Sequence, residues 1–442
     1  MTRIPDIYSS AWGHLAKLEF TTPIKYAVFF IQTIAGEAEK MSAQEIILAD
    51  RVRQIKPSPT LAVNAKAKAL RASGADILNF SVGEPDFDTP DHVCQAGKDA
   101  IDQKFTRYTA VPGIPELRQA IADRFREDHG WEYEADQIQV ACGGKHGLFN
   151  MAQALLNPGD EVIIPSPYWV SYPPIVQLAG GGAVYLPLRE EDDFDIDPKE
   201  LRACATDRTR AIILNSPSNP IGSVFSRKAL EAVAELALQR GWVIISDDIY
   251  DTIVFGEEPL PHILDVDKRL QQQTLLLNGV SKSFAMTGWR IGYTAGPKNI
   301  IAAMNKIQSQ STSNPSSVAQ KAALAAVSGP QDFPRRMKEA FRPRRDFIVQ
   351  ELRSIDGVSC VTPRGAFYVF PNLSAYFGRS FNGRKMNGSL DLADFLLDEA
   401  LIAAVPGIAF GADDYIRFSF AASMPIIKEG MNRLKDALNK LQ

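Results

Sequence analysis

The sequence predicts an α/β protein built around a mostly parallel sheet, and three observations carry that prediction. From about residue 90 onward, short apolar runs alternate with amphipathic stretches, as β-α units do. Each run stops in turn residues, and nearly every unusual polar group stands just there. The chain has 442 residues, 45% of them hydrophobic and 23% charged, an ordinary soluble composition with enough length for two or three domains' worth of core. A net charge of −4 gives no sign of a nucleic-acid surface.

The first forty residues read differently from the rest. Their apolar run YAVFFIQTIAG, 26–36, is too short to span a bilayer, which takes about 20 residues of helix. Lys17 and Lys25 precede it and small residues follow, but the run sits late for a signal peptide. Met41 opens MSAQEIILADRVRQIKPSPT, which reads as a natural start. Residues 1–40 are therefore expected to be an extension outside the fold.

Six apolar runs follow in order: QIQVACGG, DEVIIPSPYW, TRAIILNSPSNP, GWVIISDDIY, QTLLLNGVSKS and RIGYTAGP. Ligands of open α/β sheets bind beyond the carboxyl ends of the strands, so six runs pointing their polar ends one way build one site. After the first, Gly143 and Gly144 precede Leu148, Met151 and Leu155 at helical spacing. A glycine pair there is either a turn or an anion site, where free N–H groups and the helix dipole favour a phosphate. The second run ends in Trp169, which fits a core position or a flat platform. In the third, Asn215 and Asn219 are turn residues or amide donors.

The fourth run ends in Asp247 and Asp248, with Tyr250 two positions on. A carboxylate directly after four apolar residues is costly to bury without a cationic partner, although either aspartate also suits a helix cap. The fifth presents Lys282 between Ser281 and Ser283. A phosphate-binding loop of the type Gly-x-x-x-x-Gly-Lys-Ser/Thr is excluded, because Ser281 stands where the last glycine must be. Leu275, Leu276, Leu277 and Val280 on one side and Phe284, Met286 and Trp289 on the other predict a partly buried lysine with a lowered pKa, suited to forming an imine. Arg290, inside GWRIGY, is expected in an apolar strand, where it needs an anion.

Four scattered cysteines, Cys94, Cys142, Cys204 and Cys360, fit neither a zinc pattern nor a disulfide framework and read as free thiols of a reducing cytoplasm. Five histidines never pair at metal-ligand spacing, so no catalytic metal is expected. Gly180, Gly181 and Gly182 precede a strand instead of following one, which excludes a dinucleotide fingerprint. Amine, carboxylate, phosphate cradle, stacking aromatic, phenol and amide together match one small molecule, pyridoxal 5'-phosphate.

With these residues the chain resembles the fold-type I pyridoxal-phosphate aminotransferases of the aspartate aminotransferase family. The resemblance runs from about Arg51 to the C-terminus through SVGEPDFDTP, YTAVPGIPELR, SPYWVSYP, NSPSNP, SDDIY, SKSFAMTGWRIGY and YIRFSFA. It implies a large domain, 91–326, whose mostly parallel seven-stranded sheet is flanked by helices, and a smaller α+β domain from 41–90 and 327–442. RMKEAFRPRRDFIVQEL is expected to begin the return to the small domain, with Pro343 kinking the helix. The resemblance also assigns roles. Lys282 would hold the cofactor as a Schiff base and carry protons in a ping-pong transamination. Asp247 would pair with the ring nitrogen, Asn219 and Tyr250 with the phenolic oxygen, and Trp169 would stack on the ring. Gly144, Lys145, Ser281 and Arg290 would hold the phosphate, joined by Tyr108 of the partner subunit in a homodimer with shared sites. Arg417 and the N–H of Gly83 would bind the substrate's α-carboxylate.

Two departures stand beside the cofactor. Ile221 replaces the threonine of the family's Asn-Pro-Thr-Gly, and Gly279 stands where a serine is frequent. SDDIY also carries Asp248 where glutamate is common. KPSPT and GGKHGLFN resemble the prokaryotic aspartate/prephenate branch, in which Thr60 and Lys145 would approach a distal carboxylate. Aspartate or glutamate with 2-oxoglutarate or oxaloacetate are the expected substrates, and prephenate is the alternative. A lyase of the same fold is a further alternative. A regulator is disfavoured because residues 1–50 carry no helix-turn-helix with a basic face.

Overall fold

The computed structural model describes residues 47–442, apart from Lys56, Ser58 and the side chains of Pro59, Thr60 and Leu61. Residues 1–40, the suggested extension, lie outside the described residues, as does the side chain of Thr60. The chain divides after Gln54; the first unit contributes the short helix Asp50–Arg53, and the second, Ile55–Gln442, carries the fold.

In this second unit a two-residue strand, β1 (Leu78–Asn79), comes before seven strands that form one sheet. They are β2 (Ile138–Ala141), β3 (Glu161–Ser166), β4 (Gly182–Pro187), β5 (Thr209–Asn215), β6 (Val243–Asp247), β7 (Thr274–Gly279) and β8 (Gly292–Ala295), in the spatial order β2-β8-β7-β6-β5-β3-β4. Of the inner strands, β3, β5, β6 and β7 are rich in Val, Ile and Leu because both faces are covered by helices. Alternate residues go to opposite faces: Ile212, Ile244 and Leu276 pack into one hydrophobic cluster, and Ile213, Ile245, Leu275 and Leu277 into another.

One expectation needs correction. Five of the six runs point their ends the same way, but β8, the sixth, pairs antiparallel with both β7 and β2. Parallel neighbours need a crossover of a dozen or more residues, usually a helix. The link between β7 and β8, residues 280–291, holds only the four-residue helix Val280–Ser283 and a single 3-10 turn, neither long enough to carry the chain back along the strands. The chain therefore turns straight back, and the start of β8, not its end, lies at the site edge. Arg290 is accordingly not in a strand. It is an exposed residue at φ 58°, ending the turn Thr287–Trp289.

Register places the functional ends side by side: Asn215 lies opposite Asp247, and Asp247 opposite Leu277. A further cluster joins Phe80, Met337, Phe341, Phe367, Phe418 and Met431. Its strands are β9 (Tyr368–Val369), the β10–β11 hairpin (Ser380–Phe381 and Arg384–Lys385), β12 (Ile402–Ala403), β13 (Val405–Pro406) and β14 (Ile416–Ser419). β14 is central in the antiparallel sheet β13-β14-β9, and β12 pairs parallel with β1. The segment around residue 80 is thus built into the C-terminal part of the chain. The helix Asp332–Arg353 runs on through Pro343.

Candidate active site

A cavity of about 280 Å³ opens at this edge of the sheet. Gly83, Gly144, Lys145, Trp169, Asn219, Asp247, Tyr250, Ser281, Lys282, Arg290 and Arg417 all line it. Tyr108 does not; it is 91% exposed. Four more lining residues carry polar groups or position them: Tyr172, Asn215, Tyr368 and Leu277.

Lys282 leaves the sheet just after β7. Burial pushes its amine down to about 8, and Nζ donates to the carbonyl of Gly83 at 2.6 Å. A Cβ at Gly83 would stand 2.8 Å from the Tyr368 hydroxyl, so only glycine lets that loop come so near. Asp247 ends β6. Burial pushes its carboxyl up to about 7, while the hydrogen bond from Tyr172 works in the opposite direction and the charge of Asp248 adds to the rise. The Tyr172 hydroxyl donates to Asp247 Oδ2 at 2.6 Å. Asn215 braces the same corner: its Nδ2 donates to the Asp247 carbonyl at 2.9 Å, and its Oδ1 accepts from the Asn219 N–H at 2.9 Å.

The opposite wall is built on β14. Arg417 Nη1 donates to Asn219 Oδ1 at 3.0 Å, and Nη2 donates to the Ser81 carbonyl at 2.7 Å. Its guanidinium lies 4.5 Å from the Tyr368 ring centroid and 5.1 Å from that of Phe410. Among the described residues its Nε has no partner although it is buried. A buried guanidinium with an unused donor and no carboxylate at hand is suited to receiving an anion. Tyr250 and Tyr368 share a hydrogen bond between their hydroxyls at 2.9 Å.

The third wall is the N-terminus of the helix Gly144–Leu155. No side chain caps it; its N-cap, Gly143, has φ 87° and ψ 160°. A Cβ at Gly143 would sit 2.8 Å from Arg290 Cζ. The first N–H groups of a helix have no acceptor inside it, and here they meet the Ser281 hydroxyl and the Arg290 guanidinium around one cavity. That donor set matches a phosphate dianion. The Lys145 ammonium lies 5.0 Å from the centroid of the Trp169 ring, and burial, then the charge of Arg290, lowers its pKa. Trp169 in turn meets Tyr172 edge-on, with ring centroids 5.3 Å apart.

Sequence reasoning passed over Tyr172 and Tyr368 and left Asn215 open as a turn residue. Tyr172 stands three residues after Trp169 within SPYWVSYP, a visible signal. Tyr368 reaches the site only because β9 pairs with β14, Tyr368 lying opposite Ser419.

Residues 75–434 match the family described as aminotransferase class I and II. The chain is 47% identical over 390 residues to the aspartate/prephenate aminotransferase of Cereibacter sphaeroides, covering 88% of this chain and 98% of that one. It is 45% identical to the aspartate aminotransferase of Geobacillus stearothermophilus, with the same coverage. The crystal structure of the aspartate aminotransferase from Rhizobium meliloti superposes with a TM-score of 0.86 at 42% identity, covering 90% of this chain and all of that one.

Proposed function

The chain belongs to the aminotransferase class I and II family, and from that premise we propose that its cavity holds pyridoxal 5'-phosphate and exchanges amino groups between an acidic amino acid and a 2-oxo acid. What supports the reading is one cavity lined at once by Lys282, Asp247 and Arg417, residues far apart in sequence. The cofactor, when bound, supplies an aldehyde for an amine and a ring that takes up the electron pair left at the substrate's α carbon.

The residues do the rest. Lys282, whose amine burial brings down to about 8, would hold the cofactor by its aldehyde and would take and return the proton at the substrate's α carbon. Asp247 would face the ring nitrogen and favour its protonated form, and Tyr172 and Asn215 fix the orientation of Asp247. Asn219 and Tyr250 offer donors to the phenolic oxygen, and Trp169 offers a flat face. Gly144, Lys145, Ser281 and Arg290 hold the phosphate, completed by Tyr108 of the partner subunit in a homodimer. Arg417 grips the α-carboxylate in a bidentate fork, with the Gly83 N–H beside it. We assign 91–326 to the large domain and 41–90 with 327–442 to the small one. Closure between them would exclude water. Four free thiols suit a cytoplasmic enzyme.

For the side chain of the substrate, Lys145 is the recognising group, because its charge adds to the positive end of its helix; Thr60 is assigned the same task. Aspartate with 2-oxoglutarate, and glutamate with oxaloacetate, are the substrates so favoured. Prephenate is the second reading, supported by the name of the relative from Cereibacter sphaeroides. The test is spectroscopic: glutamate added to the cofactor-loaded protein bleaches its visible band, and oxaloacetate restores it faster than prephenate. Faster restoration by prephenate would favour the second reading. Release of ammonia with no restoration would make the protein a lyase.

A further inference from the structure

Directly behind the cavity a second buried carboxylate is held in a network that the transamination steps above do not use. Asp248 follows Asp247 in the chain, but only Asp247 lines the cavity; consecutive side chains leaving a strand point to opposite faces. Asp248 is 4% exposed, and Ser246 and His262 around it are buried too. Ser246 Oγ donates to Asp248 Oδ1 at 2.7 Å, and His262 Nε2 lies 3.2 Å from Asp248 Oδ2. The backbone N–H of Leu264 donates to His262 Nδ1 at 3.1 Å. Nδ1 is therefore an acceptor, the hydrogen sits on Nε2, and the imidazole is a neutral donor. Both oxygens of the Asp248 carboxylate thus accept from uncharged donors.

The surroundings do not dilute that charge. Trp131 lies between His262 and His129, with ring centroids 4.2 and 4.1 Å away, and burial lowers the pKa of His129. The other titratable groups within the field of Asp248 are Tyr133, whose buried hydroxyl has no partner among the described residues, Tyr172 and Tyr293, both raised first by burial and further by Asp248, and Asp251, pushed up to about 7 by burial and then by Asp248 itself. Asp247 sees the same field, together with Tyr172 and Lys282. A like charge next to a buried carboxylate makes it bind a proton more tightly.

We propose that Asp248, clamped by Ser246 and His262, is a positioning residue for this site: its carboxylate, directly behind Asp247, adds to the negative field that keeps a proton on the cofactor's ring nitrogen. The inference rests on the assignment of Asp247 to that nitrogen. The test uses the full chain loaded with pyridoxal phosphate carrying 15N in the ring, read by NMR for Asp248→Asn, Asp248→Glu and wild type. In Asp248→Asn the nitrogen moves toward its unprotonated shift and kcat falls about tenfold, the equivalent of one pKa unit, while KM for the amino acid stays level. Asp248→Glu, which keeps the charge, restores both. If Asp248→Asn does not fold, Ser246→Ala removes one donor, favours protonation of Asp248 and gives a smaller shift in the same direction.

An unchanged nitrogen shift and kcat, with only a lower Tm, would reduce the network to a fastener of the 249–262 loop and overturn the proposal. A wild-type nitrogen that is already unprotonated would overturn the role of Asp247 as well. Carboxyl 13C titration of Asp247 in the cofactor-free chain separates the two failures. The proposal expects that titration to fall from about 7 in Asp248→Asn, and an unmoved titration sinks this inference alone.

Discussion

At Lys282, burial holds the amine near a pKa of about 8, so the neutral form that bonds an aldehyde gains population as pH rises past that value. The rate of cofactor uptake, followed by the visible band after mixing, should climb through about pH 8 and then level; a flat profile would place the reacting amine elsewhere. Lys282→Ala should bind cofactor without the band and lose about 10²–10⁴-fold in kcat. At Tyr172, the 2.6 Å hydrogen bond stabilises the ionised Asp247. Tyr172→Phe should therefore raise the pH at which the Asp247 carboxyl titrates in the cofactor-free protein, the opposite sign to Asp248→Asn. The polar residues at run ends, Asp247, Asn219 and Lys282, were legible in the sequence because each interrupts an apolar stretch. Tyr172 was missed although it stands in a quoted motif. Asp248 was legible as a cap and turned out to be a partner of His262, fourteen residues on, a pairing no local pattern announces.

Among the elements, all six apolar runs became strands; β3, β5, β6 and β7 are inner strands in which continuous Val, Ile and Leu are buried on both faces. The seventh, β4, was read only as the strand that Gly180, Gly181 and Gly182 precede. It is an edge strand with only Leu186 buried, so its sequence GAVYLP lacks the uniform apolar signal. The antiparallel direction of β8 was misjudged because the lack of a full crossover helix between β7 and β8 was not weighed. The helix Gly144–Leu155 was legible from Leu148, Met151 and Leu155; the anion-binding role proposed for it depends on Gly143, whose dihedrals, φ 87° and ψ 160°, only glycine adopts without strain. Gly143→Ala should cost about 1–3 kcal/mol of stability. It should also push Arg290 aside, so that titration with pyridoxal phosphate gives a clearly weaker Kd while pyridoxal without phosphate binds as in the wild type.

For the whole molecule, Tyr108 is the informative residue, since at 91% exposure it is absent from the cavity of its own chain. If it completes the partner's phosphate site, a hybrid dimer of Lys282→Ala and Tyr108→Phe chains carries one complete site, and its activity exceeds that of either parent. Hybrids no better than the Tyr108→Phe parent would confine Tyr108 to its own subunit. The walls of the cavity come from the seven-stranded sheet and from β14, so a dicarboxylate inhibitor should shrink the radius of gyration in small-angle scattering as the two parts close. The central claim is that the amine of Lys282 forms the covalent bond to the cofactor, and borohydride reduction of the loaded protein followed by peptide mass mapping tests it most directly. The account predicts a single phosphopyridoxyl group on the peptide containing Lys282; the group on any other lysine, or on none, would contradict it.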